Sequence, residues 1–411
     1  MLDAMPLAPY AAMHWIDHSK LGGMDPTVLQ LILCLFKSES APLVNWVRMH
    51  NIDAGRYNLC VYRDLSMDRA KVCSALYYSS LAGMQEVLEC LMQNGENTNA
   101  EGGSLGNALQ AASSEGNEAI VKLLLEKGAE VNAKGGYYGS ALQAASSRGD
   151  EVIEKLLLEN GAEVNAEGGW HGNALQAASS EGNERIVKLL LENGAEVNAE
   201  GGWYGNALQA ALSEGNEAIV KLLLENGAEV NAEGGWHGNA LQTASFNGNE
   251  VIVKLLLEKG AEVNAKGGQY GNALQTASFK GNEAIVKLLL GKGADINANG
   301  GRYGNALQTA SLRGNEAIVK LLLEEGAEVN TKGGRFGNAL QAASFNGNEV
   351  IVKLLLENGA EVSAEGGEYG NALQAALSEG NEVIMKLLLE KGAEYRRSST
   401  EMSVRRENGY W

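Results

Sequence analysis

The chain has 411 residues, 45% of them hydrophobic, which is enough apolar surface to build a core and too much for wholesale disorder. Its formal charge is −18, from 51 acidic and 33 basic residues. That balance speaks against nucleic acid or an anionic membrane as partner, since both are bound through cationic surfaces.

Residues 1–24 carry an early acid and no continuous apolar stretch, so they do not read as a secretion signal and are expected to be loosely ordered. Asp25-Pro26 then offers a helix start, with Asp as cap and Pro at the first helical position. The most apolar run, VLQLILCLF over 28–36, falls far short of the roughly 20 residues that span a bilayer and reads as a buried helix. A second short helix is expected over 42–49. Segment 25–72 as a whole is expected to cap the array that follows, because terminal units of a stack need a polar cover. Cys34, Cys60, Cys73 and Cys90 form no CxxC pair and no zinc pattern. They read as buried reduced thiols of an intracellular protein, cytoplasmic or nuclear.

A worn unit opens at Cys73 and runs over 73–101, with SALYYSSLAG in place of the later consensus. Regular units fill 102–394. The pentad GNALQ begins at Gly106, Gly172, Gly205, Gly238, Gly271, Gly304, Gly337 and Gly370, with GSALQ at Gly139, always 33 residues apart. Nine copies at a fixed period mark a solenoid, in which each unit buries its apolar face only against its neighbours. After Glu394 the period stops, and the charged stretch 395–411 is expected to be disordered. The last helix, EVIMKLLLEKG, keeps the apolar stripe of interior helices. With no later unit to cover it, the expectation is a truncated chain or self-association through this face.

Within a unit the local signals agree. Asn173 followed three residues later by Gln176 has the logic of a capping box. The first helix, ALQAASS, is short and Ala-rich, so neighbours can approach closely. Gly182 ends it, and Asn183 is expected to cap a second helix, ERIVKLLLEN, whose Ile186, Val187, Leu190 and Leu191 fall on one stripe. Glu184 and Lys188 suit an exposed i,i+4 pair, and Gly194 suits a left-handed helix end. A Gly-rich loop, AEVNAEGGWHG, projects before the next unit. Glu154 stands where other units carry Val187, Val220 or Val253, and marks a weak point.

The run GNALQAASxxGNExIVKLLLExGAEVNA resembles the ankyrin repeat, over about four fifths of the chain. The resemblance implies an all-α ankyrin-repeat solenoid that binds protein or peptide partners through its finger loops and inner helices. Two departures stand out. Asn-Ala-Leu-Gln replaces the family's usual Thr-Pro-Leu-His, so Asn and Gln must take over its capping contact. An aromatic residue (His171, Tyr204, Tyr270) stands where the finger usually has Gly. The GGxYGNALQ style is similar to the C-terminal arrays of fungal NACHT–ankyrin receptors, which implies the sensing arm of such a receptor without its switch domain. A structural spacer with no ligand is the third reading.

No chemistry of catalysis is legible. The five histidines form no HExxH, and Gly291-Lys292-Gly293 lacks the Gly and Ser/Thr of a phosphate loop. His171 and His237 alternate with Tyr at equivalent sites, which favours packing over metal ligation. No enzyme activity, cofactor or metal is expected.

Positions that vary from unit to unit are free of the stack, and three slots vary. The fingertip slot reads Ser104, Tyr137, Trp170, Trp203, Trp236, Gln269, Arg302, Arg335 and Glu368. The first helix ends in Ser180-Glu181 and Ser213-Glu214, but later in Phe246-Asn247, Phe279-Lys280, Leu312-Arg313 and Phe345-Asn346. Before the glycines stand Glu167, Glu200 and Glu233, then Lys266, Asn299 and Lys332. Trp, Tyr and Arg are the types enriched at interface hot spots. The expected contact residues are therefore Trp170, Trp203, Trp236, Arg302, Arg335, Phe246, Phe279, Phe345, Lys280 and Arg313. The tryptophans are expected about 10 Å apart, the spacing of packed helices. A ligand with apolar anchors, basic flanks and an acidic continuation would match. The recurring finger tyrosines are expected to stack structurally.

Overall fold

The computed structural model describes residues 25–35, 73–235 and 237–394. They belong to two compact units, one ending at Glu214 and the other beginning at Gly215. The expected segments 1–24 and 395–411 and the helix expected over 42–49 lie outside the described residues, as does Trp236.

The helix at Pro26–Leu35 begins as its sequence predicts, with the amide of Thr27 donating to Asp25 Oδ1 at 2.7 Å. It packs against helix Gln85–Gln93. From there on, a pair of short helices recurs, from Ala75–Ala82 with Gln85–Gln93 to Ala372–Ser378 with Glu382–Glu390. Within each unit the first helices of successive repeats pack directly on one another. Their alanines make this possible: Ala144, Ala145, Ala177 and Ala178 are fully buried, with no side chain long enough to hold the backbones apart. Ile186, Val187 and Leu190 of Glu184–Glu192 are buried as well, while Leu191 is half-buried. Lys188 pairs with Glu184 at 2.5 Å on the solvent side, and Gly194 takes the left-handed conformation (φ +84°) that a helix end wants.

The Asn–Gln pair does two jobs. Gln176 donates its amide to Asn173 Oδ1 at 2.9 Å, and Asn173 donates its own to Gln176 Oε1 at 3.1 Å, completing the capping box. The remaining Nε2 group donates to the carbonyls of Ala199 and Gly205 in the next repeat, at 3.0 and 3.3 Å. The cap thus doubles as a tie between repeats.

Asn183 departs from expectation. Its side chain does not cap Glu184–Glu192. Its Nδ2 donates instead to the carbonyls of Ser146 and Ser147, at 2.9 and 3.0 Å, at the end of the preceding repeat's first helix. Those carbonyls have no partner within their own helix, and an amide side chain can serve them. Asp150, in the same register, has no donor to offer and does cap, accepting from the amide of Ile153 at 3.1 Å.

The fingers are narrow hairpins closed by glycine bridges such as Gly168 to Gly172, and Glu233–Gly234 pairs antiparallel with Gly238–Asn239. Gly169 (φ +63°) shows why the GG pair recurs: a Cβ there would lie 2.2 Å from the Tyr138 carbonyl of the preceding finger. Successive fingers nest backbone to backbone. Glu154 is wholly buried in helix Glu151–Glu159, at a place where its equivalents in the regular repeats are valines and, in the last, Met385.

Candidate interaction surface

Within each unit, described fingertips are joined by a ladder of backbone hydrogen bonds. In the first unit the amide of Tyr137 donates to Ser104, that of Trp170 to Tyr137, and that of Trp203 to Trp170, at 2.7, 2.9 and 3.1 Å. In the second unit Arg302 donates to Gln269, Arg335 to Arg302, and Glu368 to Arg335, at 3.0, 2.9 and 2.9 Å. This ladder corrects the spacing expected from packed helices. Hydrogen-bonded backbones sit about 5 Å apart, so the rings they carry stack. Trp170 and Trp203 lie 4.9 Å apart and 13° from parallel, and Tyr137 extends the column at 6.3 Å from Trp170. Trp170 and Trp203 nevertheless stay 44% and 57% exposed.

One residue inward, Tyr138 and His171 stack at 6.2 Å. His171 is buried, which pushes its pKa down, and its Nδ1 lies 3.1 Å from Ser180 Oγ. Carboxylates sit beside this column. Burial, then the like charge of Glu214, raises the pKa of Glu181; the phenol of Tyr204 is raised by its own burial and by both acids.

In the second unit the finger and helix-end slots interlock. His237 lies 4.0 Å from Phe246, Phe246 5.6 Å from Tyr270, Tyr270 4.5 Å from Phe279, and Phe279 5.3 Å from Tyr303. Further along, Phe345 contacts Phe336 and Tyr369 at 5.0 and 4.9 Å. Cations lie over these rings. Lys280 Nζ is 4.2 Å from the Phe246 centroid, Arg313 Cζ 4.6 Å from Phe279, Arg302 5.9 Å from Tyr303, and Arg335 5.5 Å from Phe336. Burial, then the nearby Lys280 charge, lowers the pKa of His237.

The expected contact residues therefore fall into distinct settings. Trp170 and Trp203 form an exposed stacked pair, while Trp236 lies outside the described residues. Lys280, Arg302 and Arg313 are exposed and pinned over rings. Phe246, Phe279 and Phe345 are half-buried, held between finger aromatics rather than standing free. Arg335 is ion-paired with Glu368, which raises the arginine's pKa and lowers the glutamate's. Sequence reasoning gave Tyr270 and Tyr303 a stacking role along the fingers but missed that each wedges against helix-end phenylalanines. The signal was present: Phe enters the helix-end slot at Phe246, just where the fingertip tryptophans stop.

Such a surface offers aromatic faces, carboxylates and cations for contact. Among the described residues no group of His, Cys, Asp or Glu is placed to hold a metal ion, and no helix is long and apolar enough to cross a membrane.

Stacked helix pairs with nested glycine fingers define a helical repeat array. A family model for "Ankyrin repeats (3 copies)" matches residues 37–135, 137–201, 208–300, 267–333 and 307–399, and the chain belongs to the ankyrin-repeat family. It is 38% identical over 120 residues to the "Azaphilone pigments biosynthesis cluster protein L" of Monascus ruber, a match covering 27% of this chain and 25% of the relative. The chain thus spans about a quarter of that curated relative's length. Among solved structures it is similar to the human ASB11 ankyrin repeat domain, at 27% identity and a TM-score of 0.47, covering 54% of this chain and 99% of that one.

Proposed function

We propose that this chain is a partner-binding array that contacts a protein or peptide through its fingertips and first-helix ends. Ankyrin repeats generally serve as protein–protein interaction modules. The observation that carries the reading here is the exposed Trp170–Trp203 stack. Two indoles held in register by the backbone pay almost no ordering cost on binding and bring large apolar area, the profile of a hot spot. Glu167 and Glu200 lie exposed just before the two fingers' glycines and suit a ligand with basic flanks.

The test is capture of partners from a lysate of the source organism, followed by affinity measurement with Trp170, Trp203 and Trp236 replaced by Ala. Loss of about 30-fold or more in affinity, at unchanged melting temperature, supports the reading. Full affinity in the folded triple variant overturns it, and unfolding would place the tryptophans in the core. A wild-type array that captures nothing is a spacer. The residues point to contact rather than catalysis.

The finger style GGxYGNALQ supports a second reading, the sensing arm of a fungal NACHT–ankyrin receptor, and the relative in Monascus ruber bears only on the fungal part of it. A transcript joining this array to a nucleotide-binding module would support it. Self-association through the last repeat draws support from Leu389, 51% exposed where Leu356 in the same register is half-buried. Light scattering that stays monomeric at high concentration would sink it.

A further inference from the structure

The second unit gathers cations in a chain of net charge −18, and three of them are unusual in how they are held. Lys280 and Arg313 reach back one repeat to lie over Phe246 and Phe279, and Arg302 lies over the neighbouring Tyr303. None of the three makes an ion pair among the described residues. All are exposed. In the first unit Arg148 holds the register of Arg313, but position 114 is a serine. Arg148 therefore donates its guanidinium to the Ser114 carbonyl at 3.1 Å instead of lying on a ring. Without a ring beneath it that guanidinium turns to a backbone carbonyl, whereas Lys280, Arg302 and Arg313 rest on ring faces, Arg302 within the field of Glu368.

A cation resting on an aromatic face has already lost much of its side-chain freedom, while the N–H edge of a guanidinium remains open. That edge matches a carboxylate in bidentate geometry. We propose that the strip formed by Lys280, Arg302 and Arg313 binds an acidic peptide segment of a protein partner, through carboxylates docked on ring-supported cations. The proposal deepens the partner-binding reading and rests on it.

Arg335 limits the strip, because Glu368 already holds it and does for it what the ligand would do for the other three. Lys266 and Lys332, both exposed before the finger glycines, add long-range attraction. Helices in contact lie about 10 Å apart, and an extended peptide rises about 3.3 Å per residue. An acidic residue at about every third position therefore meets successive cations at the helix ends. A nucleic acid is the poorer fit. A long polyanion must neutralise many phosphates at once, and the chain around this strip is strongly acidic.

The experiment uses the full chain and a fluorescein-labelled extended peptide with Glu at every third position and Leu and Ser between. Its controls are the same peptide with Lys for Glu, and a labelled single-stranded oligonucleotide of equal charge. Fluorescence anisotropy should show the Glu peptide binding at least tenfold more tightly than either control, with affinity falling as salt rises. Lys280→Gln/Arg302→Gln/Arg313→Gln should weaken it at least tenfold at unchanged melting temperature. Arg302→Lys/Arg313→Lys should fall between, since charge survives and the bidentate fork does not. Trp170→Ala/Trp203→Ala should leave Glu-peptide affinity unchanged, so the two surfaces succeed or fail separately. Equal binding of the Glu and Lys peptides, tighter binding of the oligonucleotide, or a triple Gln variant with wild-type affinity each overturns the proposal.

Discussion

Glu154 is a carboxyl group with no exposure to solvent, and burial pushes its pKa up to about 8, with Ser146 opposing and the nearby Asp150 adding to the rise. Ser146 Oγ lies 2.7 Å from the Leu142 carbonyl and 2.9 Å from Glu154 Oε1, but its hydroxyl has one proton to give. A protonated Glu154 resolves the conflict: it donates to Ser146, which donates to Leu142. The sign follows. The folded state holds a proton that the unfolded state releases above about pH 4.5, so stability falls as pH rises from there to about 8 and then levels off. The slope is at most about 1.4 kcal/mol per pH unit. Glu154→Gln should flatten this component in melting curves between pH 5 and 9, and Glu154→Val should stabilise by about 1 kcal/mol or more at pH 7. A wild-type pH profile in the Gln variant would mean that the proton sits elsewhere. The sequence exposed this residue because eight sister repeats supply the comparison; its Ser146 partner, eight residues away, was not legible.

At the scale of the helix and finger, one side chain carries several links. Asn173→Ala removes one cap and should cost about 1 kcal/mol. Gln176→Ala removes the other arm of the box and both ties to Ala199 and Gly205, leaving the half-buried Ala199 carbonyl without its side-chain donor while Gly205 keeps the Gly201 amide, so it should cost more, about 2 kcal/mol. Equal losses in urea titrations would show that the ties between repeats contribute nothing. Helix boundaries, the capping box and Gly194 were all readable because they depend on residues within four positions. The role of Asn183 was not, since its partners Ser146 and Ser147 belong to another repeat. The fingertip spacing failed for the same reason. Helix packing is the wrong ruler there, because the Trp203-to-Trp170 backbone bond sets the spacing.

At the scale of the molecule, nearest-neighbour stacking makes stability a sum over repeats and their interfaces. Excising 272–304, one full period, joins equivalent positions and should leave the remaining repeats folded. The urea dependence should fall roughly in proportion to the surface removed. An unchanged dependence would mean that only part of the array unfolds in that transition. The family and its helix pattern were legible because period and capping repeat nine times. The separation of the surface into an acid-flanked tryptophan column and a cation-capped phenylalanine strip was visible as composition. Its geometry needed contacts between residues 33 or 34 positions apart.

The stacked indoles have an optical consequence. Two transition dipoles 4.9 Å apart on nearly parallel rings share their excitation. The folded array should therefore show an exciton couplet in the circular dichroism of the indole bands, absent from isolated tryptophan. Trp203→Phe should abolish the couplet without melting the helices, and a ligand that slides between or tilts the rings should change its sign or amplitude. The fingertips thus carry a label-free gauge of their own register, readable before any partner is known.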